Sequence, residues 1–343
     1  MAEIYLDSAA MSPVLPIARK AFLDAPFGNP SSEHAVGVKA RDALEDARKV
    51  IATRLYAEPE EVYFCSTATE AAAWVCQSLR SFGWEIRPFE LEHHAVSENI
   101  DNYYHDVHFS ALARMLGQNE TGELLPKPTL GKHDLWVCDA TAAVGHIPIS
   151  FKDLGADYLL ADAIKFGGYS CAFLIAKHDA PLTPMIKGGG QERGMRSGTE
   201  NVPAICAMAA ALEWQYKHME ENTMHIGALR AMMFKMLSEI PNHKWNTPFE
   251  KPCLPHILNI SFDGVDAHAL AMLLSKQGVM VSPGAACSNG LHEPSHVIMA
   301  MFHDEDRARS AIRISMSHEN TADEIVEAGQ KIKDAVSYLR SLT

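Results

Sequence analysis

Across residues 35–55, Ala40, Leu44, Ala47, Ile51 and Leu55 recur at helical spacing, which predicts an amphipathic helix. Short apolar runs at 61–65, 135–138 and 158–161 predict buried strands. The first leads into the small polar turn Ser66-Thr67-Ala68-Thr69 and a helix from Glu70. The second ends at Asp139, and the third stops just before Lys165. Towards the C-terminus, 256–262 and 312–315 read as strands and 267–277 as a helix. A long helix over 321–342 opens with the capping-box pattern Thr321-x-x-Glu324. Alternating strands and helices predict an α/β fold, and the altered texture of the tail predicts a smaller α+β domain.

The net charge of −13 disfavours nucleic acid and anionic membrane as main partners. A hydrophobic content of 47% and a charged content of 21% suit a globular chain of 343 residues. The first residues carry Glu3 and Asp7 without a basic cluster, so no signal peptide is expected. The longest apolar stretch, 202–212, falls short of the roughly 20 residues of a bilayer span. These features predict a soluble, cytoplasmic protein. The seven cysteines are odd in number and form no C-x-x-C pair, which argues against a disulfide framework or a zinc site. There is no H-E-x-x-H among the 17 histidines, and His105 and His108 lack an obvious third ligand, so no metal site is expected.

Asp139 and Lys165 each follow an apolar strand, about one βαβ unit apart. In open α/β sheets the ligand crevice lies beyond the carboxyl ends of the strands. A carboxylate and an amine delivered there suit pyridoxal phosphate, the lysine bonding its aldehyde and the carboxylate keeping its pyridine nitrogen protonated. The competing reading is an N-cap Asp and a surface Lys. The turn 66–69 is an anion site at a helix N-terminus, suited to a cofactor phosphate, or an ordinary cap. The glycine-rich stretch GGGQERGMRSGTEN (188–201) reads as a functional loop, or as a solvated turn before the helix that follows Val202. Cys287 stands in a polar loop between Gly284 and Gly290, where a thiol can reach solvent and react, or is incidental. Arg313 alternates with Ile312 and Ile314 and is placed either to grip a carboxylate in a bidentate fork or to make a sheet-edge ion pair.

These segments occur in order with YLDSAAMSP (5–13), GNPSSEHAVGVKAR (28–41), FCSTATEA (64–71), EHHAV (92–96), NETG (119–122), CDATAAVGHIPI (138–149), KFGG (165–168), NISFDGV (259–265) and SPGAACSNGLHEPSH (282–296). The set resembles the class V aminotransferase superfamily and, within it, the cysteine desulfurases of the NifS/IscS type. The resemblance implies the pyridoxal-phosphate-dependent transferase fold type I. A mainly parallel central sheet would lie in a large cofactor-binding domain (14–222). A smaller α+β domain (1–13 and 223–343) would carry the Cys287 loop.

By resemblance, Lys165 is the Schiff-base lysine, Asp139 the partner of the pyridine nitrogen, and His93 the histidine stacked on the ring. Ala68 and Thr69 lie at the cofactor phosphate, and Thr199 reaches the phosphate of a neighbouring subunit, which implies a homodimer. Asn119 touches ring and substrate, Arg313 binds the substrate carboxylate, and Cys287 receives sulfur. The implied reaction takes L-cysteine to L-alanine and leaves a persulfide on Cys287 for an acceptor protein. The chain departs from the family at Asp162 and Ile164, where a phosphate-binding serine and histidine normally precede the lysine. It departs again at Ala142, which replaces a glutamine bonded to the cofactor's phenolic oxygen, and in a shortened region between His93 and Asn119. These departures leave other readings open: a selenocysteine lyase or other class V enzyme, and a cofactor-poor paralogue acting as a binding scaffold.

Overall fold

The computed structural model describes residues 3–100, 109–284 and 293–342; His105, His108 and Cys287 lie outside the described residues. The first part of the chain runs through β1 (Ile4–Tyr5), α1 (Pro16–Asp24), α2 (Ala35–Leu55), β2 (Val62–Cys65), α3 (Ala68–Ser81), β3 (Glu85–Pro88), α4 (His94–Ser97) and β4 (Ser110–Ala113). It continues with β5 (Leu135–Asp139), α5 (Phe151–Leu154), β6 (Tyr158–Asp162), β7 (Ala172–Ala176) and α6 (Val202–Ser238). The last part holds β8 (His243–Trp245), β9 (Ile257–Phe262), α7 (Ala267–Lys276), β10 (Val279–Met280), β11 (Ser282–Pro283), α8 (His296–Phe302), α9 (Glu305–Arg309), β12 (Ala311–Ser315) and α10 (Ala322–Arg340).

Two compact units result. The larger comprises Pro13–Leu116 and Leu125–His218; the smaller comprises Met1–Ser12, Gly117–Leu124 and Met219–Thr343. The short stretch Gly117–Leu124 thus goes with the two ends of the chain, a piece the sequence-based division leaves in the large domain.

In the larger unit six strands form one sheet in the order β2-β7-β6-β5-β4-β3. Strands β3, β4, β5 and β6 pair in parallel, while β7 runs antiparallel to both β6 and β2. Every residue of β6 and β7 is buried, as continuous apolar runs in a sheet covered on both faces require. Trp74, Val75 and Leu79 of α3 pack into the same core as Val137, Leu160 and Leu174. That helix starts at Ala68 rather than Glu70, because the Thr67 hydroxyl accepts the Glu70 N–H at 3.2 Å and caps it. After Lys165 the chain turns back tightly. A Cβ at Gly167 (φ +90°) would sit 2.6 Å from Leu15 Cγ, and one at Gly168 would sit 2.6 Å from the Ala163 Cβ.

The glycine-rich loop is fastened to this unit by a buried ion pair. Arg48 of α2 donates to both Glu192 carboxylate oxygens, at 2.9 and 2.8 Å, and to the Val62 carbonyl at 2.8 Å. Glu192 also accepts the Phe64 N–H at 2.9 Å. Glu192 and Arg193 have φ of 47° and 59°, a left-handed conformation that costs about 1 kcal/mol or more per non-glycine residue. The Arg48 contacts, with Arg193 donating to the Val62 carbonyl at 2.7 Å, hold the chain there.

The smaller unit carries an antiparallel sheet in the order β11-β12-β9-β8 and the parallel pair β1-β10. Helix α10 buries Ile325, Ala328, Ile332, Ala335 and Val336 in the core that holds Leu270, Leu274, Ile312 and Ile314. Both halves of the Thr321/Glu324 capping box form. Among the described residues, no helix is long and apolar enough to cross a membrane.

Removing one member of a buried, hydrogen-bonded ion pair strands the other charge and typically costs 3–5 kcal/mol. Arg48→Ala is therefore expected to lower the free energy of unfolding by about that amount, read by urea denaturation. A loss within experimental error of zero would mean that Glu192 does not depend on Arg48.

Candidate active site

Strands β5 and β6 are parallel neighbours, with Asp139 in register with Leu160. Asp139 is thus the last residue of β5, and Lys165 ends the single 3-10 turn, Ala163–Lys165, that follows β6. Both stand at the carboxyl end of the sheet, where the sequence pattern puts them. Asp139 is 7% exposed and accepts the Thr141 N–H at 2.9 Å. The Lys165 carbonyl is bonded to His146 Nε2 at 2.9 Å, which fixes the backbone of the turn.

His93 caps the short α4, its Nδ1 accepting the Ala95 N–H at 3.0 Å. An acceptor Nδ1 puts the proton of a neutral ring on Nε2. The preceding residue, Glu92, is buried and accepts the Met115 N–H at 2.5 Å. Burial, and then the neighbouring Asp139, push its carboxyl up to about 8, against the Met115 N–H and Arg114, which lower it.

The N-terminal turn of α3 is largely committed within the chain. The Ser66 N–H goes to Glu70 at 2.8 Å, the Glu70 N–H to Thr67, and the Ala68 N–H to Asp162 Oδ2 at 3.0 Å. Among the described residues, the Thr67 and Thr69 N–H groups and the Thr69 hydroxyl remain uncommitted there. Arg196 of the glycine-rich loop pairs with Glu70 at 2.7 Å and donates to the Ser66 hydroxyl at 2.9 Å. Thr199 lines a cavity of about 270 Å³ together with Cys65, Ser66, Cys171 and Arg196. Asp139, Lys165, His93, Ala68, Thr69 and Thr199 all belong to the larger unit.

Arg313 and Asn119 belong to the smaller unit. Arg313 lies on β12 opposite Ser282 and Asn259 and is 3% exposed. It donates to the Asn119 carbonyl at 3.0 Å and to Asp7 Oδ1 at 2.8 Å, while its Nε is buried without a hydrogen-bond partner among the described residues. A buried orphan donor costs about 1–3 kcal/mol, which a carboxylate fork would relieve. Sequence reasoning did not find the roles of Asp7 and Glu92. Each is an acid inside a quoted motif, YLDSAAMSP and EHHAV, which is the only signal the chain gives for them.

Because Glu92 ordinarily titrates near 4.5 and in the fold near 8, the folded protein keeps between those values a proton that the unfolded chain gives up. Its contribution to stability therefore falls as pH rises from about 4.5 to about 8 and is level beyond. Glu92→Gln is expected to remove that part of the pH slope. Urea unfolding of both proteins between about pH 5 and about pH 8 measures it; parallel slopes would contradict the shifted carboxyl.

The class-V aminotransferase family pattern matches residues 4–110 and 104–327. A cysteine desulfurase of Enterobacter agglomerans is 32% identical over 381 residues, covering 100% of this chain and 95% of that protein. An IscS-like cysteine desulfurase of Mycobacterium tuberculosis is 31% identical over 382 residues, covering 98% of this chain and 97% of that protein. Both alignments exceed the 343 residues of this chain, so it lacks stretches that they have. A solved NifS-like protein superimposes with a TM-score of 0.88 at 29% identity, covering 98% of this chain and 100% of that one. The chain belongs to the class-V aminotransferase family, among the cysteine desulfurases of the NifS/IscS type.

Proposed function

We propose that this protein is a pyridoxal-5'-phosphate-dependent cysteine desulfurase that converts L-cysteine to L-alanine and carries the sulfur away as a persulfide on Cys287. The observation that carries this reading is that Asp139 ends β5 and Lys165 ends the turn that follows the parallel neighbour β6, both at the carboxyl edge of one sheet, in a chain related to cysteine desulfurases over its whole length.

The donor set fits the cofactor at its ring and aldehyde ends. Asp139, buried and steadied by the Thr141 N–H, suits the pyridinium N–H, and Lys165 supplies the amine for the aldehyde. His93 offers a flat ring with a fixed tautomer. At the phosphate end the Thr67 and Thr69 N–H groups and the Thr69 hydroxyl would serve, joined in a homodimer by the Thr199 of a second copy. When bound, the cofactor supplies an electron sink for the α-carbon of an amino acid.

The chain's own residues do the rest. Arg313, oriented by Asp7 and the Asn119 carbonyl, grips the substrate carboxylate. By resemblance, Asn119 would touch the bound cofactor and the substrate. Lys165 takes the α-proton and returns it to carbon, acting as general base and then acid. The Cys287 thiolate attacks the substrate sulfur, so one S–S bond forms as the substrate C–S bond breaks. With one proton delivered to the former thiol-bearing carbon, alanine leaves and the persulfide stays for an acceptor protein. The six described cysteines are free thiols, which suits a reducing compartment such as the cytoplasm.

Cys287→Ser is expected to bind cofactor as wild type does, to form no persulfide, and to lose alanine production by about 100-fold or more. Alanine release and intact mass after exposure to L-cysteine measure both. Wild-type turnover in this variant under the same reductant would mean that Cys287 does not receive the sulfur.

A further inference from the structure

Asp162 is a buried charge that the proposed reaction does not use. It is 4% exposed. Its Oδ2 accepts the Ala68 N–H at 3.0 Å and its Oδ1 the Ile164 N–H at 3.2 Å. One of these N–H groups opens α3, and the other belongs to the turn that carries Lys165. Among the described residues, Lys165, of opposite sign, and Asp139, of like sign, bear on Asp162. Burial holds its pKa above the ordinary carboxylate value, against the two N–H groups and Lys165, which lower it.

A phosphate dianion bound at this end of α3 would need several donors. Among the described residues, the Ser66, Ala68 and Glu70 N–H groups are already taken within the chain, leaving those of Thr67 and Thr69. It would also meet the Asp162 carboxylate, whose like charge is poorly screened where water is excluded.

We propose that Asp162 is a specificity-determining residue for the cofactor: it fills the phosphate-binding end of the site with the chain's own negative charge, so that pyridoxal phosphate gains little over unphosphorylated pyridoxal. This inference rests on the pyridoxal-phosphate reading above. In addition, the same carboxylate ties the Lys165 turn to α3, so part of the phosphate's anchoring role is built into the protein.

The test is titration of apoprotein with pyridoxal phosphate and, separately, with pyridoxal, followed by Schiff-base absorbance and tryptophan fluorescence. Wild type is expected to prefer pyridoxal phosphate by no more than about tenfold. Asp162→Asn, which keeps an oxygen acceptor and loses the charge, is expected to bind pyridoxal phosphate about tenfold or more tighter, with pyridoxal little changed. Asp162→Ser is the second variant, expected to shift in the same direction; thermal melting identifies which variants are folded. A wild-type preference of about a thousandfold or more would overturn the proposal on its own, and so would an unchanged or smaller preference in the folded variants. If neither compound attaches in any of the proteins, the cofactor reading itself falls. If both attach and the ratio does not move, only the role of Asp162 falls.

Discussion

A carboxylate removed from water must be met by donors, and this requirement organises the carboxyl edge of the large sheet. Leaving such a charge unmet costs several kcal/mol. Asp162 meets it with the N–H groups of Ala68 and Ile164, joining the start of α3 to the turn that presents Lys165. Glu192 meets it with Arg48 and the Phe64 N–H, fixing the glycine-rich loop to β2. Asp139 takes the Thr141 N–H. Each carboxylate thereby orders a loop, and the loops carry the groups assigned to chemistry.

The same economy governs anion recognition. In the smaller unit Arg313, the arginine proposed to bind the substrate carboxylate, is already paired with Asp7 and aimed by the Asn119 carbonyl. In the larger unit Asp162 stands where the donors of α3 would otherwise face outward. An incoming anion at either place therefore meets a group already oriented and already partly discharged. Such sites exchange affinity for positioning: the ligand gains less Coulomb energy, but little reorganisation remains when it arrives.

Much of the fold was legible because the relevant signals are local. The apolar runs of β5 and β6 end at or beside charged residues, Asp139 after the one and Asp162 and Lys165 after the other, so the sequence places Asp139 and Lys165 beyond the carboxyl ends of two strands. The period of 35–55 and the capping box at Thr321 likewise predict α2 and α10. What stayed hidden joins residues far apart in the chain. Asp162 and Ala68 are 94 residues apart, Arg48 and Glu192 are 144 apart, and Asp7 and Arg313 are 306 apart. Hydrogen bonds across such distances leave no periodicity. The sequence marks Asp162 only as a departure from the serine that usually precedes the lysine, not as a ligand of the Ala68 N–H. For the same reason Gly117–Leu124 gave no sign that it belongs with the chain's two ends.

The account turns on Lys165 as the point of cofactor attachment at the end of β6. Reducing the pyridoxal-phosphate-loaded protein with borohydride and mapping the modified peptide by mass spectrometry tests this directly. The account predicts a pyridoxyl group on Lys165 and none on Lys165→Ala under the same treatment. A modified peptide elsewhere in the chain, with Lys165 untouched, would contradict it.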